Sequence, residues 1–209
     1  MLGPGVFAAQ VERFEGATFV ESLDREPRVG LAEWLAGVLI ETPAPRAVIG
    51  HGLGAVAALQ LATARPDLIQ GLMLVGIGTK ARVPPRGALV DGIVDASFAD
   101  PTSPTARTTH DALTEVEPAL LEEALHGWAA LELRGRLGAV GQPALLVAAG
   151  QDQLAPLDGA EELAAEQARA GLAVLPGVGH AAPVEAPGAI DLLAAAFLAR
   201  LELAISGGG

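Results

Sequence analysis

The 209-residue chain contains no cysteine and no tyrosine, and aromatic residues make up only 3% of it. Without cysteine there can be no disulfide, no thiolate nucleophile and no Cys-ligated zinc. Positive charge is also scarce, since 13 lysines and arginines stand against 25 aspartates and glutamates, a net charge of −12. So acidic a surface repels phosphate backbones and anionic lipids, and we expect neither nucleic acid nor a membrane as a partner.

The chain also lacks a hydrophobic run of the kind that spans a membrane. Residues 47–64 are uncharged, but glycines interrupt them at alternate positions, so a strand, a tight turn and a helix fit them better. Residues 1–14 lack a basic start followed by a sustained apolar stretch, which argues against a secretory signal. We therefore expect a cytoplasmic protein, and we expect residues 206–209, Ser-Gly-Gly-Gly, to form a flexible tail.

What is present is a globular composition, with 51% hydrophobic and 18% charged residues. Short apolar segments alternate with longer helical patterns, which predicts a three-layer α/β domain with a mostly parallel sheet of about five or six strands. Five strands are predicted at Ala17–Leu23, Arg46–Ile49, Gly71–Gly76, Ala144–Ala149 and Leu172–Pro176. Helices are predicted at Leu31–Glu41, Gly54–Arg65, Leu157–Ala170 and Ala189–Leu203.

Residues 81–136 break this alternation. The segment begins with closely spaced prolines and has a helical pattern from Asp111 to Leu133. We interpret it as a small helical cap inserted into a core formed by residues 1–80 and 137–205, since such insertions often cover a site at the strand ends. The alternative is an ordinary pair of connecting helices.

A glycine-rich turn follows the second predicted strand, with the sequence Gly-His-Gly-Leu-Gly at residues 50–54. One interpretation is a nucleophile elbow, in which the middle residue, Gly52, is presented on a strained turn. The other is a dinucleotide fingerprint formed by Gly50, Gly52 and Ala55. The fingerprint also needs an acidic residue at the end of the next strand, and residues 71–80 contain none. We therefore expect no cofactor.

Two further strand ends carry groups with catalytic chemistry. Asp152 follows the predicted strand Ala144–Ala149, and His180 lies in the glycine-containing loop after the last strand. Taken singly, the aspartate is ordinary turn chemistry and the histidine an ordinary loop residue. In a parallel sheet, however, all carboxyl ends lie along one edge, so we expect Asp152 and His180 to meet beside Gly52.

In this order, elbow then Asp then His, the chain resembles the α/β-hydrolase superfamily from about Ala17 to Leu203. The resemblance implies that Asp152 orients His180, that His180 acts as a general base, and that the Leu53 amide is one oxyanion donor. It also places residues 81–136 where the family carries its cap. Within that cap, Trp128 is a candidate binding residue, with plain core packing as the alternative.

The resemblance fails at the nucleophile, because Gly52 has no side chain and no covalent acyl-enzyme can form there. The four serines of the chain lie outside the elbow. The start of the chain also looks shortened relative to the family. Pro4 has no N–H, so a second oxyanion donor would come from Gly5 or Val6. A shortened sheet would expose an edge, and we expect a homodimer to cover it.

Three hypotheses therefore stay open. In the first, His180 and Asp152 activate a water or a substrate proton in a reaction without a covalent nucleophile. In the second, the chain is a degenerate hydrolase. A third hypothesis is a non-catalytic module that binds a ligand or a protein partner. Apart from a protein partner, the expected ligand is a small apolar or ester-like molecule. We predict no metal, since neither His110 nor His126 has ligand-like spacing to a carboxylate cluster.

Overall fold

The computed structural model describes residues 7, 10, 14, 31–41, 47–84 and 89–206. Within these ranges four strands form one parallel sheet in the order β1-β2-β3-β4. The strands are β1 (Ala47–His51), β2 (Gly71–Val75), β3 (Ala144–Ala149) and β4 (Ala170–Leu175). The α-helices are α1 (Leu31–Glu41), α2 (Leu53–Ala64), α3 (Leu89–Ser97), α4 (Pro104–Thr114), α5 (Pro118–Ala129), α6 (Leu157–Ala165), α7 (Ala182–Glu185) and α8 (Pro187–Ser206).

The sheet is covered on both faces, as its apolar strands require. Alternate residues of β2 belong to different cores: Leu72 and Leu74 pack with α1 and α2, whereas Met73 and Val75 pack with α8. All five β2 residues are buried. This arrangement of helix, sheet and helix confirms the predicted three-layer α/β class.

Four of the five predicted strands are present, with bounds shifted by at most two residues. The fifth, Ala17–Leu23, lies outside the described residues. Strand β4 begins at Ala170 rather than Leu172, because Ala170 and Gly171 pair with Ala144 and Leu145 of β3. The last helix extends through Ser206, the first residue of the predicted tail; residues 207–209 lie outside the described part.

The helix predicted over Leu157–Ala170 ends at Ala165. Beyond this point the polar side chains bind a neighbouring segment instead of continuing the helix. The Glu166 carboxylate accepts hydrogen bonds from the backbone N–H groups of Gly135, Leu137 and Gly138. The Gln167 side chain donates to the carbonyl of Val140. These tertiary contacts override the helical preference of this alanine-rich stretch.

The helical pattern predicted from Asp111 to Leu133 is helical over most of its length, but it is interrupted at residues 115–117 and the helix ends at Ala129. The chain forms α4 and α5 there, and Pro118 begins α5, where its missing N–H costs no helical hydrogen bond. Helix α3 was not predicted. Side chains from α3, α4 and α5 form a small core of their own, which also includes Ala181 of the loop after β4. Whether residues 81–136 act as a cap stays a prediction.

The turn from β1 into α2 depends on Gly50. A Cβ at this position would lie 2.6 Å from the Gly54 carbonyl oxygen and 2.7 Å from the Ala55 backbone. A Cβ at Gly54 itself would meet no atom within 4 Å. The strand therefore enters the helix through a backbone contact that only glycine permits.

We predict that Gly50→Ala lowers the free energy of unfolding by about 3 kcal/mol or more, because the clash is with backbone that cannot move aside. The matched control Gly54→Ala adds a methyl group on the same turn without a clash. It should leave stability unchanged or raise it by up to about 1 kcal/mol. Urea unfolding followed by circular dichroism measures both values, and equal stability of the two variants would contradict this account of the turn.

Candidate active site

Three strand ends meet at one edge of the sheet. The parallel register pairs His51 with Val75, Val75 with Val147 and Ala149 with Leu175, so the carboxyl ends of the strands lie along one edge, where β3 and β4 extend two residues beyond β1 and β2. The structure brings Gly52, Asp152 and His180 together at this edge.

The hydrogen bond between His180 and Asp152 forms the centre of the site. His180 Nδ1 lies 2.8 Å from Asp152 Oδ2, and both side chains are fully buried. The other carboxylate oxygen, Oδ1, accepts the backbone N–H groups of Leu154 and Ala155 at 2.8 and 2.7 Å. Because a carboxylate accepts hydrogen bonds, Nδ1 carries the proton and Nε2 is free to act as a base.

The free nitrogen of His180 faces the elbow. His180 Nε2 is buried and has no hydrogen-bond partner among the described residues. A Cβ built on Gly52 would lie 3.3 Å from this nitrogen and 3.8 Å from Cη2 of Trp128. A hydroxyl carried on that carbon would be within reach of Nε2. Position 52 therefore has the geometry of a nucleophile position, although glycine occupies it.

At Gly52 the backbone has the positive φ of a strained strand-to-helix turn, as a nucleophile elbow requires. Gly52 has φ 53° and ψ −120°, and its N–H donates to the Val75 carbonyl at 2.9 Å. Helix α2 starts at the next residue, Leu53, whose N–H lacks a partner within the helix because it belongs to the first turn. The helix N-terminus and this N–H together can stabilise negative charge near Gly52.

Trp128 lies beside His180 of the His180–Asp152 pair (the dyad) and also belongs to the hydrophobic core. It is only 2% exposed and is part of the large core beneath the sheet, yet its ring centroid is 5.3 Å from that of His180. The structure therefore shows the core packing of Trp128, and its role as a binding residue stays a prediction. Gly5, the predicted second oxyanion donor, lies outside the described residues.

Two residues that position the imidazole of His180, Gly76 and His51, were not predicted from the sequence. A Cβ at Gly76 (φ +61°) would lie 2.9 Å from both Cε1 and Nδ1 of His180, so a side chain there would displace the ring. His51 Nε2 donates to the backbone carbonyl of His180 at 2.8 Å. The position of Gly76 directly after β2 was a signal in the sequence that could have identified it. Nothing in the sequence indicated the role of His51.

His51 is itself an electrostatic feature of the site. Burial lowers the pKa of His51 well below its usual value of 6.5, and the neighbouring His180 lowers it further. Their ring centroids are 4.5 Å apart. His51 is therefore neutral and serves as a hydrogen-bond donor behind the dyad.

The described residues offer no set of ligands for a metal ion. No group of three histidine, aspartate or glutamate side chains within the described residues could hold a metal ion. The helices in the same ranges include none that is long and apolar enough to cross a membrane.

The sheet, the elbow and the buried Asp–His pair define a protein of the α/β-hydrolase class. The chain belongs to the alpha/beta hydrolase family, whose sequence profile matches residues 4–190.

Solved structures with this fold carry different activities. A thermophilic esterase is 24% identical, with a TM-score of 0.74 over 88% of this chain and 76% of that one. A meta-cleavage product hydrolase from Pseudomonas fluorescens IP01 is 17% identical, with a TM-score of 0.72 over 96% of this chain and 88% of that one. A bromoperoxidase from Bacillus anthracis is 15% identical, with a TM-score of 0.70 over 83% of this chain and 76% of that one. At these identities the likeness is one of fold, and the reaction must be argued from the site.

We predict that stability falls as the pH drops below about 6.5, in part because of His51. In this range the unfolded chain protonates His51 while the folded chain does not, so acid favours unfolding. His51 contributes up to about 1.4 kcal/mol per pH unit. His51→Gln keeps a donor for the His180 carbonyl and should remove that share of the slope.

The control for this measurement is His126→Gln, a replacement of an exposed histidine on α5. Urea unfolding between pH 5 and pH 7.5 should give a shallower slope for His51→Gln than for either the control or the unaltered chain. The same slope in all three proteins would contradict the buried, neutral state of His51.

Proposed function

We propose that this protein hydrolyses small, apolar acyl esters without forming a covalent intermediate. In this proposal His180, held by Asp152, acts as a general base on a water molecule at the position that a nucleophile side chain would occupy. The observation that carries it is the orientation of His180 Nε2, which is buried, unpartnered within the described residues and 3.3 Å from the Cβ position of Gly52. The family membership and the likeness to a thermophilic esterase agree with ester chemistry.

The proposed reaction has two steps. His180 Nε2 takes a proton from water, and the water oxygen bonds to the ester carbonyl carbon, whose oxygen becomes an oxyanion. The Leu53 N–H and the start of α2 stabilise that charge. The carbon–oxygen bond to the alcohol then breaks, and the alkoxide takes the proton from His180. The products are one carboxylic acid and one alcohol.

The usual rate contributions of a general base and of an oxyanion donor give the expected rate of hydrolysis. A positioned general base contributes about 10²–10⁴-fold, and one oxyanion donor about 10²–10³-fold. In serine hydrolases that lose a triad member, about 10³–10⁴-fold catalysis over water persists. We therefore expect slow turnover that depends on His180, well below that of a serine hydrolase.

Two alternatives to hydrolysis, dinucleotide binding and non-catalytic ligand binding, would use this site in different ways. Dinucleotide binding through Gly50, Gly52 and Ala55 needs a phosphate to approach the elbow, where His180 and Trp128 already lie within 4 Å of the Cβ position of Gly52. A non-catalytic binding module is favoured by the missing side chain at position 52. That module would bind an ester or a carboxylic acid without converting it.

We predict that the unaltered chain hydrolyses a short acyl ester over many turnovers with no initial burst, and that His180→Ala lowers the rate about 10²-fold. Gly52→Ser should raise it about 10³-fold and add a burst of alcohol release, since an acyl-enzyme then forms. Release of a chromogenic alcohol measures all three rates.

The matched control is Gly52→Ala, which adds the same Cβ in the same positive-φ conformation without a hydroxyl. Both substitutions carry about 1–3 kcal/mol of backbone strain, so the comparison isolates the oxygen atom. A rate in the unaltered chain equal to that of His180→Ala would overturn the general-base proposal. If such a chain still bound the ester, the binding-module alternative would hold instead.

A further inference from the structure

Glu185 of helix α7 connects the loop that carries His180 to the end of helix α3. Its Oε2 accepts the backbone N–H of Gly179 at 2.8 Å, and its Oε1 accepts the backbone N–H of Ala99 at 2.8 Å. Gly179 precedes His180 directly, and Ala99 lies two residues after α3. A single carboxylate therefore fixes the two segments at a set distance from each other.

Other contacts at the end of α3 reach the same loops. The Ala181 N–H donates to the Ser97 carbonyl at 2.8 Å, and the Gln153 N–H donates to the Ala96 carbonyl at 3.3 Å. A Cβ at Gly179 would lie 2.6 Å from the Ser97 oxygen, so the two backbones are in close contact. The last turn of α3 thus binds the loops of both His180 and Asp152.

These contacts hold the backbone on each side of the imidazole. The N–H before His180 is bound by Glu185, the N–H after it by Ser97, and its own carbonyl by His51. The reach of a base to its target must be kept within about 0.5 Å for efficient catalysis. Glu185 is the charged member of this set, and charge-assisted hydrogen bonds are the stronger ones.

We propose that Glu185 is a positioning residue, which keeps His180 Nε2 aimed at position 52 by tying the loop at residues 176–181 to the end of helix α3. The inference rests on the proposed role of His180, but it concerns the geometry of the dyad and can be tested on it directly. Glu185 touches no reacting atom in this account.

The chain provides a matched control for a purely structural role. Glu166 also uses its carboxylate to accept backbone N–H groups from a distant segment, at Gly135, Leu137 and Gly138. Within the described part of the chain, none of its hydrogen-bond partners belongs to the elbow or to the loops of Asp152 and His180. Replacing either glutamate by glutamine removes a comparable anchor, but only one of them contacts the loop of His180.

The first measurement is the low-field proton resonance of the His180–Asp152 hydrogen bond, recorded on the unaltered chain, Glu185→Gln and Glu166→Gln. It needs no activity, so it stays decisive even if the proposed reaction is wrong. We expect Glu185→Gln to shift or broaden this resonance and Glu166→Gln to leave it in place. Circular dichroism identifies a temperature at which all three proteins are folded.

The second measurement uses the Gly52→Ser background and a short acyl ester. Glu185→Gln should lower kcat about 10- to 100-fold with little change in KM, because a misplaced base slows the chemical step. Glu166→Gln should leave kcat within about twofold of the background. Glu185→Asp, which keeps the charge with a shorter reach, replaces Glu185→Gln if that variant does not fold.

The resonance measurement and the activity measurement together distinguish a failure of the positioning role from a failure of the ester proposal. An unchanged resonance in a folded Glu185 variant would overturn the positioning role, whatever the activity. A changed resonance in the Glu185 variant alone would support it, even if Gly52→Ser proved inactive and the ester proposal failed. Equal effects of the Glu185 and Glu166 variants on the resonance would show a general loss of stability and would also overturn the proposal.

Discussion

The hydrogen bond between His180 and Asp152 is the contact on which the rest of the site depends, because it gives a fully buried imidazole one orientation. The second oxygen of the carboxylate is held by two backbone N–H groups, so Asp152 cannot turn away. Removing one member of such a buried pair typically costs about 3–5 kcal/mol, since the other is left without its partner. With Nδ1 bound in this way, Nε2 can only face the elbow at Gly52.

The elbow imposes a second constraint, which is steric rather than electrostatic. Gly50 permits the close entry of β1 into α2, and Gly76 leaves room for the imidazole that Gly52 faces. The residue that these contacts surround, Gly52, has no side chain and cannot act as a nucleophile. The reaction proposed for this site therefore proceeds by direct attack of water on the substrate, and it depends on a general base for that reason.

The sequence was sufficient to predict the layers, four of the strands and the meeting of Gly52, Asp152 and His180. Those features follow from local alternation and from the common edge of parallel strands. It was not sufficient for Glu185, His51 or the start of β4. Glu185 binds Ala99, 86 residues away, and His51 binds the carbonyl of His180, 129 residues away. Partners so distant leave no periodic signal, and the tertiary contacts of Glu166 likewise ended a helix that local preference would have continued.

His180 Nε2 is aimed at whatever side chain stands at position 52. Labelling with a fluorophosphonate, which modifies activated serines, tests it most directly when read by mass spectrometry of Gly52→Ser. We expect one phosphonyl adduct on residue 52, absent from Gly52→Ala and strongly reduced when His180→Ala is added. A folded Gly52→Ser protein that gains no adduct, or one that is labelled equally well without His180, would contradict it.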